Sequence, residues 1–453
     1  MTPRPGCTST DLCPHQVPSA SPSDVAACTQ TSSVGHDRDV EPSDTPGLRP
    51  LDDLVVLDFS RVLAGPHCGR ALADLGARVI KIEPPAGDLT RFCQPRRNSI
   101  SSYYAQQNTG KENLSLDLQR PEARDLVLEL VRHADIVVEN FRPDVMDRLG
   151  LGYDALAAVR PELIYASANG YGAGTSWANR RAYAPVIGAE SGLTRSQGDA
   201  RDGRYFNDRH SHADVYTALE LTVGILAALH QRTRTGRGQR VEITMAQTML
   251  YVNEHAHDAL WDEPVPEGVV RSFQPGDYQV LTLADGTAMI VSGHPAESGT
   301  FEFFMRAIGR DDLIGVDRFA DVANRLHNLD EINDLLREHA RGIPDATTYE
   351  AILSQHNLAV GTLRTVAEFA ATEWAAETGA VVDVSDRGSG TIRIPQAPWS
   401  FSDAPDVGVR GYPRYRGEDN RAVLAELAGC DDDTLDQLAA DGVLSEHRPR
   451  SSQ

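Results

Sequence analysis

The chemistry open to this chain centres on one carboxylate. Asp214 lies in the run His212-Ala213-Asp214-Val215-Tyr216-Thr217, where a polar loop gives way to a long apolar helix pattern, Val215 to His230. A carboxylate at a helix N-terminus is either a nucleophile or an N-cap that satisfies free backbone N–H groups. Local sequence alone favours the cap, because Thr217 follows three residues later in a loose capping arrangement. As a nucleophile, Asp214 would form a covalent intermediate and divide one hard step into easier ones, with the helix dipole helping to keep it ionised. His210 and His212 flank it closely enough to tune it, although histidines so placed are more often plain loop residues.

Other candidate groups are weaker. The turn Ser60-Arg61-Val62-Leu63-Ala64-Gly65-Pro66 follows a predicted strand, and Glu83 ends the next one, where a ribose-binding acid could sit. The turn lacks the three spaced glycines that let backbone approach a pyrophosphate, so a nicotinamide cofactor is not expected. Gly65-Pro66 then reads as an ordinary turn, and no Walker-type phosphate loop is present. The run Gly170-Tyr171-Gly172-Ala173-Gly174 could donate N–H groups to an oxyanion or form a flexible turn. The six cysteines, Cys7, Cys13, Cys28, Cys68, Cys93 and Cys430, contain no pair with metal-site spacing.

These residues need elements to position them. Val55–Phe59, Arg78–Glu83, Leu114–Leu118, Asp135–Glu139 and Leu163–Ser167 read as short buried strands. Between them, Val62–Leu75 ends as a helix at Gly76, and Pro121–His133 carries its proline near the first turn. Arg240–Met245 reads as the last strand of this core. Alternating strands and helices predict a parallel sheet with helices on both faces, and ligands bind such sheets at the carboxyl ends of the strands. Tyr278–Leu283 and Ala288–Ser292 give shorter strand signals, and residues 300–372 are mostly helical, as expected of a second, smaller domain. Strand signals return over residues 379–395.

Composition narrows the function. The 453 residues suffice for two or three domains, and 41% of them are hydrophobic. No run of 18 apolar residues suggests a membrane span. A net charge of −22 argues against a nucleic-acid binder, so an anionic ligand needs a local basic cluster. No secretory signal is visible, and a reducing, cytoplasmic setting is expected. Residues 1–48 are rich in Ser, Thr, Pro and Asp and are expected to be disordered.

Six ordered blocks carry a specific resemblance. They are Val56–Pro66 (VLDFSRVLAGP), Leu72–Pro85, Asn108–Lys111 with Leu114–Leu118, Ala134–Pro143 (ADIVVENFRP), Leu149–Tyr153 with Pro161–Tyr165, and Arg234–Val241 (RTGRGQRV). Together they resemble the class III CoA-transferases, the CaiB/BaiF family, most clearly over residues from about 50 to 250. The resemblance implies an α/β fold with a Rossmann-like large domain over 49–250. It further implies a linker and small α+β domain over 251–375, and a C-terminal segment over 376–453 that returns to the large domain. Two such chains would form an interlocked homodimer.

The resemblance also implies a reaction. Coenzyme A moves from an acyl-CoA thioester to a free carboxylic acid, with coenzyme A as substrate and no prosthetic group. Asp214 matches the family's nucleophile, which forms an aspartyl mixed anhydride and then an enzyme–CoA thioester. Contacts to coenzyme A are implied at Leu63 and Ala64, from Leu116 to Gln119, at Asn140, Phe141 and Arg142, and at Arg148 and Arg181. Lys111 is a weaker candidate, and Pro84 stands where relatives often carry a basic residue. Family transferases often have small residues just after the aspartate, whereas this chain has Val215 and Tyr216. A racemase branch of the family would need a His-Asp pair near Tyr183-Ala184, where neither residue can supply the carboxylate. Glu190 is a nearby acid, read as a surface or packing residue. An acyl-CoA isomerase and a non-catalytic acyl-CoA-binding homologue are the rival readings.

Overall fold

The computed structural model describes residues 49–201, 203–264 and 273–448. The tail expected over 1–48, with Cys7, Cys13 and Cys28, lies outside them. Six parallel strands form the main sheet: β1 (Val55–Asp58), β2 (Arg78–Glu83), β3 (Glu112–Ser115), β4 (Ile136–Glu139), β5 (Ile164–Asn169) and β6 (Gln239–Thr244). Their spatial order is β3-β2-β1-β4-β5-β6, the doubly wound order of Rossmann-like sheets. Side chains alternate between faces along each strand. Leu57, Ile80 and Val137 therefore meet helix α2 (Pro121–Val131) in one core. Val56, Val79, Ile136 and Val138 meet α1 (Ala64–Asp74) in another, on the opposite face. Burial on both faces is why these strands read as continuous apolar runs.

The long helix is His212–Thr235. By length and composition it could span a membrane, with a hydropathy of 1.2. Instead Ala218, Leu221, Ile225 and Ala228 pack it against the sheet.

Three sequence expectations are corrected. Gly65-Pro66 is not a free turn but lies in the first turn of α1. A Cβ at residue 65 would meet Ser60 Cβ at 2.1 Å, so only glycine lets this helix start so close to β1. The third strand is Glu112–Ser115 rather than 114–118. Beyond it, Asp117 turns the chain by accepting the Gln119 N–H at 3.2 Å through its side chain, and Leu116 pairs with Leu444. Asp214 is not an N-cap: Ser211 takes that position and Asp214 is the third residue of its helix.

Residues 280–362 build a separate three-stranded antiparallel sheet of β7 (Val280–Thr282), β8 (Ala288–Val291) and an outer strand, Val360–Thr362. Its core of Phe301, Phe304, Phe319, Leu336 and Tyr349 lies among short helices. Further on, Val381–Ser385 and Thr391–Pro395 form an antiparallel hairpin. The chain then meets the open edge of β3. Asp419 accepts the Asn113 N–H at 2.8 Å and Asn420 accepts the Ser115 N–H at 2.9 Å. These bonds satisfy edge donors that would otherwise be unpaired, and Val423, Leu424 and Leu444 join the core beneath.

Candidate active site

In this strand order the winding reverses between β1 and β4, which opens a crevice at their carboxyl ends. Two turns form its walls. After β1 the chain passes through Ser60-Arg61-Val62-Leu63, and after β4 through Asn140-Phe141-Arg142. Asn140 joins them: its Oδ1 accepts the Arg61 N–H at 2.8 Å and its Nδ2 donates to the Arg61 carbonyl at 2.8 Å. Val62 adopts φ 69°, a left-handed conformation in which a β-branched side chain is crowded. Between the walls lies a cavity of about 440 Å³.

Asp214 lines this cavity and is half-buried. It sits where three helices begin. Besides its own helix, α1 begins at Ala64 and a further helix, Ala184–Glu190, begins at Ala184; both residues line the cavity with Asp214, and their backbone N–H groups act to lower its pKa. Burial nevertheless outweighs them and raises its pKa from 3.8 to about 6. The sequence suggested a carboxylate held ionised by a helix end; the fold yields one still largely ionised at neutral pH but at a desolvation cost. Such a group is more basic, and so a better nucleophile, than an exposed aspartate.

The structure brings most of the sequence candidates together. Leu63, Ala64, Asn140 and Phe141 line the cavity with Asp214, as do Arg142 and Arg181. Three others do not. Leu116 is fully buried in the sheet core, because its strand lies on the far side of β2. Gln119 is exposed beyond that strand, and Arg148 is exposed with its Nε donating to the Asp144 carbonyl at 3.3 Å. Lys111 is fully buried and committed to Asp58 Oδ2 at 2.9 Å, the Pro66 carbonyl at 2.8 Å and Asn108 Oδ1 at 3.0 Å.

Of the remaining sequence features, Gly170 reaches the cavity wall. His212 turns away, bonds to Asp208 at 3.1 Å and stacks on Tyr216. Glu190 pairs with Arg180 at the surface. In the small domain His294 is buried and stacked on Phe273 at 3.9 Å, and it does not line the cavity.

Sequence reasoning missed Arg61, Arg180 and Tyr103, which also line the cavity. Arg61 was visible inside the turn after the first strand, but nothing local showed which way it points. The Arg180 guanidinium carbon lies 4.1 Å from the centre of the Trp177 ring. Tyr103 comes from a separate short helix, and burial together with the charge of Asp214 pushes its hydroxyl up to about 12. Among the described residues, Arg61, Arg142 and Arg181 have no carboxylate within 4.0 Å. Against a net charge of −22, that cluster makes the cavity an anion site with a single acid in it.

Comparison with known proteins agrees with this geometry. Residues 51–420 match the model of CoA-transferase family III. The chain belongs to that family. It is 33% identical over 384 residues to an acetyl-CoA:oxalate CoA-transferase of Acetobacter aceti, covering 84% of this chain and 96% of that one. It is 29% identical over 416 residues to a succinyl-CoA–D-citramalate CoA-transferase of Chloroflexus aurantiacus, covering 87% and 98%. A solved CaiB/BaiF family protein from Brucella suis superposes with a TM-score of 0.72 at 31% identity, covering 84% of this chain and 99% of that one. This protein is therefore a class III CoA-transferase, of a family whose enzymes use CoA thioesters. Its large parallel sheet is the one expected from the resemblance.

Proposed function

We propose that this enzyme moves coenzyme A from an acyl-CoA to a free carboxylic acid through covalent intermediates on Asp214. The carboxylate attacks the donor thioester carbonyl, forming an aspartyl–acyl mixed anhydride and expelling CoA thiolate. The thiolate attacks the aspartyl carbonyl, which releases the donor acid and leaves an enzyme–CoA thioester. The acceptor carboxylate then attacks that thioester, forming a second anhydride and freeing the thiolate again. Attack of the thiolate on the acceptor acyl carbonyl gives the new acyl-CoA and restores Asp214. The observation that carries this reading is Asp214 itself: among the described residues the one acid of an arginine-lined cavity, raised to about 6 by burial against the opposing pull of the Ala64 and Ala184 backbone N–H groups. Donors fixed in this way reorganise little as charge shifts during the reaction.

Coenzyme A is held along the two cavity walls. Leu63, Ala64, Asn140 and Phe141 supply backbone and apolar contacts, and Arg142 and Arg181 meet phosphate charge. Arg148, Gln119 and Leu116 lie outside the cavity and contribute at most through the segments that carry them. The named substrates of the relatives, oxalate and D-citramalate, are the first acids to screen, since a second carboxylate suits free guanidinium groups.

Two copies assemble as a homodimer. Leu219, Val223 and Leu226 form an exposed apolar stripe on the helix of Asp214, and Tyr251, Leu260 and Trp261 are exposed nearby in sequence. Such a surface is unusual for a monomer, and sedimentation at micromolar concentration tests it.

Hydroxylamine trapping tests the chemistry. After incubation with acyl-CoA, a transferase yields a hydroxamate at Asp214, detected as a mass change on its peptide. A racemase or a pure binder yields none, and a hydroxamate at any other residue rules out the assignment.

A further inference from the structure

The turn between β1 and α1 is held in a conformation that its own residues disfavour. Val62 has φ 69°, and neither Ser60, Arg61 nor Leu63 is a glycine that would ease it. Side chains from other segments hold it instead. Lys81 Nζ donates to the Ser60 carbonyl at 2.8 Å, and Asn140 grips the backbone N–H and carbonyl of Arg61. The Val62 N–H itself donates to Asp88 Oδ2 at 3.1 Å.

Asp88 is locked from every side. It is fully buried, its Oδ1 accepts from the Thr90 N–H and hydroxyl at 2.9 Å each, and its Oδ2 lies 3.4 Å from Lys81 Nζ. Its own N–H donates to Glu83 at 2.8 Å. Asp88 does not line the cavity, yet Ala64, two residues beyond Val62, lines it together with Asp214, and the Ala64 N–H lowers the pKa of that carboxyl. Strain that the surroundings over-determine is found where function needs a fixed geometry.

We propose that Asp88 is a positioning residue for coenzyme A transfer: by holding the Val62 N–H it keeps the turn left-handed, and so keeps the Ala64 N–H aimed at the Asp214 carboxylate. The inference rests on the reading of Asp214 as nucleophile. It separates Asp88 from a plain structural partner of Lys81, because a glycine at position 62 takes the same φ without a tether.

The experiment compares the full chain with Asp88→Asn, Val62→Gly and the double variant. Asparagine offers one acceptor oxygen, so Val62 or Thr90 loses its partner. Asp88→Asn is expected to lower kcat by about ten- to a hundredfold, the usual effect of a small misplacement. The acidic limb of its pH profile should also move upward from about 6, because the Ala64 N–H lowers the pKa of Asp214. Adding Val62→Gly should recover at least about tenfold in kcat and bring the limb back. Tyr103, Arg61, Arg142, Arg180 and Arg181, which face the same cavity, are unchanged in all variants. Asp88→Glu keeps the charge beside Lys81 while displacing the acceptor, and replaces the asparagine variant if that protein fails to fold. An unshifted limb, or a double variant no more active than the single one, overturns the proposal. If the wild-type enzyme forms no hydroxamate at Asp214, the reading of the nucleophile fails instead. A crystal structure of Asp88→Asn then decides the tether alone: a Val62 φ still near +69° refutes it.

Discussion

Replacing Asp214 with asparagine should make the protein inactive and more stable. Burial raises its carboxyl from 3.8 to about 6. The folded state therefore binds the proton more tightly than the unfolded chain does. As pH rises from about 4 to 6 the unfolded chain loses its proton first, so folding stability falls, and the full penalty is present above about 6. At 1.36 kcal/mol for each tenfold in affinity, that penalty is about 3 kcal/mol. Asparagine is neutral throughout but offers the Ala64 and Ala184 N–H groups one acceptor instead of two, which returns about 1–2 kcal/mol. The net gain of Asp214→Asn should be about 1–2 kcal/mol at pH 8, or about 1–3 °C in Tm, and should reverse to a loss of about 1 kcal/mol near pH 4. Scanning calorimetry of both proteins across this range measures it, and acyl-CoA exchange should fall below detection. A Tm equal to or below wild type at pH 8, or a difference that does not open between pH 4 and 6, would refute the reasoning.

Other variants probe the frame around this carboxylate. Lys111→Met strands Asp58, whose pKa burial would raise but which Lys111 and Lys81 hold below the ordinary range; a loss of about 3–5 kcal/mol is expected, read by thermal unfolding. The double variant Asp58→Asn/Lys111→Met should recover part of that loss. Arg142→Ala and Arg181→Ala should each raise KM for acyl-CoA by about ten- to a hundredfold, as expected for a lost charge-assisted hydrogen bond. In those variants KM should also respond less steeply to added salt. Asn140→Ala takes the partner from the backbone N–H and carbonyl of Arg61, and it should lower kcat more than it raises KM if its role is to hold the turn.

The main sheet was legible because its strands are buried on both faces. Val55–Leu57 and Ile136–Val138 are uninterrupted apolar runs, and all six residues of Ile164–Asn169 are buried. The edge strand was harder. In Glu112–Ser115 burial comes partly from residues more than 300 positions away, Asp419 and Asn420, so the local pattern shifted it to Leu114–Leu118. The same distance effect hid Tyr103 and Arg180 from the site. Neither lies in a segment whose local pattern announces a ligand, and only the folding of separate loops brings them to Asp214.

The sequence by itself determined the order of elements, the family, and the residue most worth testing. Ordered blocks and alternating strands and helices are encoded locally, by side-chain type and spacing. Only the tertiary structure decided what Asp214 is: the third residue of its helix rather than a cap, set in a cavity with Ala64 and Ala184, and raised to about 6. The fold also separated arginines that reach the cavity from Arg148, which does not, and turned Asn140 into a clamp on Arg61. Protonation and reach depend on which distant atoms exclude water and supply donors, and spacing along the chain does not carry that information.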